Sequence, residues 1–314
     1  MQDQSNLNRG YFFAFLSAVV LSTTAVFIRY IFNTYQMPPL VLACWRDALA
    51  AVSLLIILLL FHPSLITANR DHANYLLIYG FILALFNSLW TISVNLNGAA
   101  IATVLAYSSA AFTTLLDRWL FKEKLGLVKI FAVILSLFGC LLVSDALDPA
   151  AWLAHPLGIV TGTLAGLSYA IYTLMGRSAH KRGINTWTTL LHTFIAATFF
   201  LFILNMIPND FIPGAASQPE DLLWLGTAWD GWGILLILAA GPTLAGFGLY
   251  NTSLNYLPSS VVNLIVTLEP VFTATFAYLF LEEKLSRIQI IGSSIILIGV
   301  VFLRLYNNSS KEKK

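Results

Sequence analysis

One segment of this 314-residue chain occurs twice, 160 residues apart, and each copy lies inside continuous apolar sequence. Phe112-Thr113, Glu123-Lys124-Leu125, Ile130, Leu137 and Gly139 recur as Phe272-Thr273, Glu283-Lys284-Leu285, Ile290, Leu297 and Gly299. The repeated unit is therefore two apolar stretches joined by a charged turn. Its solvent must be lipid: 58% of the residues are hydrophobic and only 10% are charged, against roughly 25% charged in soluble domains. A duplicated membrane unit with an odd helix count is the architecture of alternating-access carriers.

Ten apolar runs are each about as long as a bilayer crossing requires. In the first half they are Tyr11–Phe32, Pro39–Phe61, Tyr75–Val94, Ala99–Phe121 and Val128–Val143. The second half contributes Leu157–Arg177, Thr186–Ile207, Gly233–Tyr256, Ser259–Leu281 and Ile288–Leu305. Because the runs are continuously apolar rather than alternating, spanning strands are excluded. The first run is too long for a signal-peptide core and no small-residue cleavage site follows it, so it is expected to be a retained helix. The long connection from Pro208 to Trp232 reads as a non-cytoplasmic loop with interfacial aromatics.

Charge placement gives the expected orientation. With the N-terminus in the cytoplasm, twelve of the 17 basic residues fall on the inner side: Arg9, Arg70, Lys122, Lys124, Lys129, Arg177, Lys181, Arg182, Arg304, Lys311, Lys313 and Lys314. Only Lys284 and Arg287 fall outside, and Arg29, Arg46 and Arg118 lie within runs. The positive-inside rule then puts both termini in the cytoplasm. One copy of the charged turn lies inside and the other outside, so the halves are inverted. The predicted fold is an all-α integral membrane protein of ten transmembrane helices, built as two inverted five-helix repeats over residues 10–143 and 157–305. Its expected location is the cell's inner (cytoplasmic) membrane. A net charge of +2 argues against nucleic acid as a partner. Cys44 and Cys140 lie in apolar runs, where packing is the expected role.

The run Leu268-Glu269-Pro270-Val271-Phe272, the turn Leu281-Glu282-Glu283-Lys284-Leu285 and the pair Gly292 and Gly299 resemble the ninth helix, turn and tenth helix of the EamA-type transporters of the drug/metabolite transporter superfamily. Leu167-Ser168-Tyr169-Ala170-Ile171-Tyr172 is similar to that family's sixth helix, and Arg46 sits where the family carries an arginine on helix two. The resemblance covers about residues 10 to 305 and is most specific in the last third. Two departures stand out: Leu21-Ser22 replaces the usual Trp-Gly on helix one, and Ala110 replaces the usual proline on helix four. The resemblance implies ten helices around a central cavity and the efflux or exchange of small metabolites.

Glu269 falls about ten residues into its run, near the midplane at 1.5 Å per residue. A carboxylate there must be protonated, paired or facing a wet cavity, which makes it a candidate for coupling or gating and equally for a structural pair. Pro270 cannot donate a hydrogen bond and frees the carbonyl of Val266, so a kink is expected. Arg46 is a candidate cationic site for a substrate carboxylate, with structural pairing as the alternative. His192, at an offset of 146 from Arg46, is a candidate pH sensor or ligand, or else a satisfied packing residue. Asn87, Trp90 and Thr91 follow helical spacing with Val94, and their repeat mates are Phe247, Tyr250, Asn251 and Leu254. Thr103 and Tyr107 map to Asn263 and Thr267, and Tyr169 and Tyr172 map to Leu21 and Thr24. Matching polar positions in both halves are expected of a cavity at the repeat interface; interhelical glue is the alternative. Asp117 and Arg118 are expected to snorkel toward the cytoplasmic surface. The stripe Gly158, Gly162 and Gly166 favours close packing within one chain over dimerisation, although the sequence leaves the oligomeric state open.

These readings point to a secondary-active transporter, an exporter or exchanger of small metabolites such as amino acids. Neither a cofactor nor a metal is expected. Its partners would be a small-molecule substrate and the lipid bilayer. There is no Walker A motif, and no GxSxG, HExxH or midpoint aspartate pair that an intramembrane enzyme would need. The alternatives are such an enzyme, or a membrane scaffold or receptor without transport activity. A scaffold has no need of mirrored polar positions.

Overall fold

The computed structural model describes residues 2–122, 126–144, 146–147, 155–207, 212–281 and 286–312. The two charged turns, Glu123-Lys124-Leu125 and Glu282-Glu283-Lys284-Leu285, lie outside the described residues. Every long element among those residues is helical. In chain order they are α1 (Gln2–Ser22), α2 (Thr24–Tyr35), α3 (Pro39–Phe61), α4 (Ala73–Tyr107), α5 (Ser109–Phe121), α6 (Leu127–Val143), α7 (Pro156–Lys181) and α8 (Thr186–Asn205). They continue with α9 (Trp229–Leu238), a π-helical segment (Ala239–Ala245), α10 (Gly246–Ser253), α11 (Ser259–Val266), α12 (Glu269–Leu281) and α13 (Arg287–Glu312).

Among the described residues, seven helical stretches are long and apolar enough to cross a membrane, and the apolar helices Leu127–Val143 and Arg287–Phe302 are shorter. Side chains such as Leu60 (71% exposed), Trp119 (78%) and Leu127 (84%) point outward. An apolar outer surface of this kind is solvated by lipid.

The helix boundaries differ from the ten sequence runs for local reasons. Helical backbone runs unbroken through α4, where the sequence predicts a turn between Val94 and Ala99. Yet Ser93 Oγ and Leu105 Cδ1 both lie 2.6 Å from where a Cβ on Gly162 would stand. Twelve residues of straight helix would separate them by about 18 Å. The helical backbone therefore doubles back between Ser93 and Leu105, and both limbs reach α7.

Four helices are interrupted inside their runs. At Thr23, between α1 and α2, the hydroxyls of Ser22 and Thr23 donate to the carbonyls of Val19 and Val20 at 2.6 and 2.7 Å, a local bonding that bends helices. Pro242 sits in the π-helical segment, where the missing N–H loosens the backbone ladder. The expected break before Glu269-Pro270 is present: α11 ends at Val266, and α12 begins at Glu269. Pro270 is the second residue of α12, where its missing N–H costs no intrahelical bond. The first half breaks at the corresponding place, Ser108, 160 residues before Leu268, although no proline stands there.

Lipid offers little hydrophobic drive for helix association, so close backbone contact matters more. A Cβ on Gly139 would fall 2.5 Å from Ile296 Cγ1 and 2.9 Å from the Gly292 carbonyl. The α6–α13 crossing thus depends on paired glycines. The stripe on α7 faces the same chain: Ser93 Oγ donates to the Gly158 carbonyl at 2.8 Å, and a Cβ on Gly166 would meet the Leu105 carbonyl at 2.7 Å.

The two ends of the bundle are closed differently. At one end, the connection after α8 folds over α2 and α3. Trp45 Nε1 donates to the Leu222 carbonyl at 2.6 Å and Trp224 Nε1 to the Tyr35 carbonyl at 2.8 Å. Gly214, at φ +85°, makes the turn that lets its carbonyl accept from Leu40 N at 2.9 Å. At the other end, α5, α6, α7 and α11 meet around Asp117. This carboxylate accepts from Arg177 Nη1 at 3.3 Å and from the Ser260 backbone N–H, in the first turn of α11, at 2.7 Å. Lys129 Nζ donates to Ser260 Oγ at 3.0 Å. The ring of Phe121 lies under Arg177 and Lys181, at 4.7 and 4.1 Å. Asp117 is fully buried and so does not snorkel, whereas Arg118 is exposed.

Candidate functional site

A central cavity of about 100 Å³ lies where the two halves meet. The first half supplies Leu21 and Thr24 from the α1–α2 bend, Arg46 from α3, and Phe86, Asn87 and Trp90 from one limb of α4. Thr103, Ala106 and Tyr107 come from its other limb. From the second half come Tyr169 on α7, Thr243 in the π-helical segment, Phe247 on α10 and Glu269 at the start of α12. Four of these residues, Thr24, Tyr107, Thr243 and Glu269, adjoin a helix interruption, so the breaks aim side chains at the cavity that a straight helix would present to a neighbour.

The charged part of the site is organised by α3 and α4. Arg46 Nε and Nη2 both donate to Asp47 Oδ1, at 3.2 and 3.3 Å. The second oxygen, Oδ2, accepts from Asn87 Nδ2 at 2.7 Å. Asp47 is fully buried and Arg46 only 5% exposed. Neighbouring residues on a helix point roughly 100° apart, but the long guanidinium arm folds back far enough to pair with its neighbour. Glu269 lies beside the Tyr107 phenol. It occupies the first turn of α12, where the aligned peptide dipoles favour negative charge.

Of the residues singled out in the sequence, Arg46, Asn87, Trp90, Tyr107, Tyr169 and Glu269 line this cavity. Thr91 does not; its hydroxyl donates to its own helix, to the carbonyls of Asn87 and Ser88. It lines a smaller adjoining pocket that also contains Arg46, Trp90, Ile28 and Phe32. His192 stands apart on α8, its Nδ1–H donating to the Thr188 carbonyl at 2.9 Å. Pro270 is buried behind Glu269.

Tyr172, Tyr250, Asn251 and Asn263 form a buried polar layer behind Tyr169. Tyr79 OH donates to Asn251 Oδ1 at 3.0 Å, and Asn251 Nδ2 donates to Tyr172 OH at 2.9 Å. Ser109 Oγ donates to Asn263 Oδ1 at 2.9 Å, Asn263 Nδ2 reaches Thr173 Oγ1 at 3.2 Å, and Thr173 bonds to Tyr250. The layer ties both halves together between the cavity and Asp117. Tyr169 caps it, stacked on Phe86 (ring centroids 4.8 Å apart, 18° between planes) and on Tyr250 (5.7 Å, 25°).

Sequence reasoning missed Phe86, Ala106 and Thr243 as wall residues. Phe86 lies one residue before Asn87 in a run whose other large side chains are equally apolar, so nothing in the sequence sets it apart. Thr243 was detectable only through Pro242, whose helix distortion turns it inward. Among the described residues, no group of three or more His, Cys, Asp or Glu side chains could hold a metal.

The model of the EamA-like transporter family matches residues 8–145 and again 156–305. This chain belongs to the EamA-like transporter family. It is a multi-pass membrane transporter and not an enzyme, as the resemblance on Glu269-Pro270 and the sixth helix implied. Among relatives of this EamA-like chain, an uncharacterized transporter of Synechocystis sp. is 28% identical over 229 residues, 71% of this chain. That match spans 64% of the Synechocystis protein, less than two thirds of its length. A protein of Escherichia coli described as a "Probable amino-acid metabolite efflux pump" is 26% identical over 297 residues, 91% of this chain and 92% of that one. A solved crystal structure superposes with a TM-score of 0.76 over 96% of this chain and 98% of its own, at 14% identity. That likeness is one of fold.

Proposed function

We propose that this chain is a secondary-active exporter or exchanger of small metabolites, amino acids foremost, working by alternating access. In this reading ten spans form two inverted five-helix repeats, over residues 10–143 and 157–305, with both termini in the cytoplasm of the inner membrane. The observation that carries it is the central cavity, walled by both halves and holding Arg46 and Glu269 at membrane depth. Ionisable groups at that depth mark substrate and ion pathways. The Escherichia coli relative's printed description supports amino-acid efflux as the activity.

The repeat mates support the mechanism. Trp90 corresponds to Tyr250, and Thr24 to Tyr172. Trp90 and Thr24 line the cavity, while Tyr250 and Tyr172 are fully buried in the polar layer. In an inverted repeat, mates lie toward opposite membrane faces. One open mate and one closed mate is the asymmetry of a carrier open to a single side. The closed side carries the Asp117–Arg177 pair and the flanking basic residues Arg177 and Lys181, which supports reading it as the cytoplasmic side. Rocking of the halves would break that layer and close Trp90 onto its neighbours.

The test is uptake of labelled amino acids into proteoliposomes. Trp90→Ala and Tyr107→Ala are each expected to lower uptake by about tenfold or more, the effect of losing roughly 1.4 kcal/mol of binding, with the fold retained. Full activity in both variants would remove the central cavity from the transport path.

A further inference from the structure

Resting on the transport reading, we infer that the cavity recognises its substrate by an ammonium group held at Glu269, so the substrate class is amines, with or without a carboxylate. Arg46 is the obvious hook for a carboxylate, but its charge is committed. Two of its nitrogens bond to Asp47 Oδ1 at 3.2 and 3.3 Å, and Asn87 fixes the other carboxylate oxygen at 2.7 Å. Arg46 and Asp47 together present a neutral, hydrogen-bonding wall.

Glu269 differs. Among the described residues it makes no ion pair, and its side-chain neighbour is the Tyr107 phenol. The net formal charge of the cavity's described ionisable groups, with Asp47 counted, is therefore set by Glu269. A bare carboxylate ligand would bring a second negative charge into this low-dielectric site, where like charges are costly. An ammonium group would neutralise it.

The remaining wall fits the same ligand. Among the described residues, Thr24 Oγ1 and Thr243 Oγ1 are buried without a hydrogen-bond partner and belong to residues lining the cavity; Thr243 is 2% exposed. Buried hydroxyls left unpaired are costly. An ammonium carries three donors and no acceptor, matching one carboxylate and two hydroxyl acceptors. Aromatic walls such as Trp90 and Tyr169 add faces that attract a cation.

The experiment compares three matched probes: phenylalanine, 2-phenylethylamine, which lacks its carboxylate, and 3-phenylpropanoate, which lacks its amine. The same triads are built on leucine and methionine. The readout is the unfolding temperature of the purified protein, which rises with ligand by mass action. At least one amine and its parent amino acid are expected to stabilise, and every deaminated acid to fail. Glu269→Gln is expected to weaken amine binding about tenfold or more, and Thr243→Val to weaken it less. Stabilisation by an acid but not its matching amine, by no amine in any triad, or equally in Glu269→Gln, would overturn the assignment. Binding of amines without proteoliposome transport would sink the transport reading and leave the ammonium site standing.

Discussion

Replacing Asp47 by alanine is expected to lower stability by about 3–5 kcal/mol, the usual cost of removing one partner from a buried ion pair. Asp47 is fully buried and accepts three hydrogen bonds, two from Arg46 and one from Asn87. Its loss leaves a guanidinium that is 5% exposed, with nothing to balance its charge. The Asn87 amide loses its acceptor in the same step. Asp47→Asn should fall between the two, because it restores an oxygen acceptor but no charge. Equilibrium unfolding in mixed micelles measures both. A cost within about 1 kcal/mol for Asp47→Ala, the scale of an exposed pair, would mean that Asp47 is not the group that balances the charge of Arg46.

Asp117→Ala is expected to act on conformation as strongly as on stability. The Asp117 carboxylate joins α5 to Arg177 on α7 and to the first turn of α11 through Ser260 N–H. It therefore fastens elements of both halves at the proposed cytoplasmic end. Without it, the polar layer of Asn251, Asn263, Tyr172 and Tyr250 is the remaining closure on that side. A single cysteine at Thr173, fully buried within that layer, reports the change. Cys44 and Cys140 would be replaced by alanine in this background; both are buried. Labelling of the Thr173→Cys protein by a membrane-impermeant thiol reagent from the cytoplasmic side is expected to rise about tenfold or more when Asp117→Ala is added. That corresponds to a population shift of roughly 1.4 kcal/mol, within the range of coupling between sites. Labelling unchanged by the mutation would show that Asp117 braces the fold and does not hold the gate.

What could be read from the sequence was set by contrast. Arg46 and Glu269 stand out because a charge in an apolar run is expensive, and both face the cavity. Trp90, Tyr107 and Tyr169 follow from helical spacing combined with repeat mates. The remaining site residues divided according to side-chain direction, which spacing alone leaves open. Tyr172, Tyr250, Asn251 and Asn263 turn away and satisfy one another. His192 is satisfied by its own helix at Thr188. Arg46 and Asp47 pair directly, because a four-atom arm can cross an angle that short side chains cannot.

The helix interruptions show the same limit. The break at Glu269-Pro270 is announced by a proline, whereas those at Thr23 and Ser108 are not. Side-chain hydroxyls compete for helix carbonyls at both, and serine and threonine do this in many helices that stay straight. Asp117 misled for a related reason. Its place near the end of a run suggested solvent, but the N-terminus of α11, distant in sequence by 143 residues, comes to meet it.

Counterflow tests the central claim most directly: vesicles loaded with an unlabelled amino acid that stabilises the protein are diluted into trace labelled substrate. A carrier whose one cavity opens alternately to each side accumulates label transiently above equilibrium. The wild type is expected to do so, and a stably folded Glu269→Gln protein to lose most of the overshoot. Simple equilibration without overshoot in the wild type, or an undiminished overshoot in Glu269→Gln, would contradict a single alternating cavity centred on that residue.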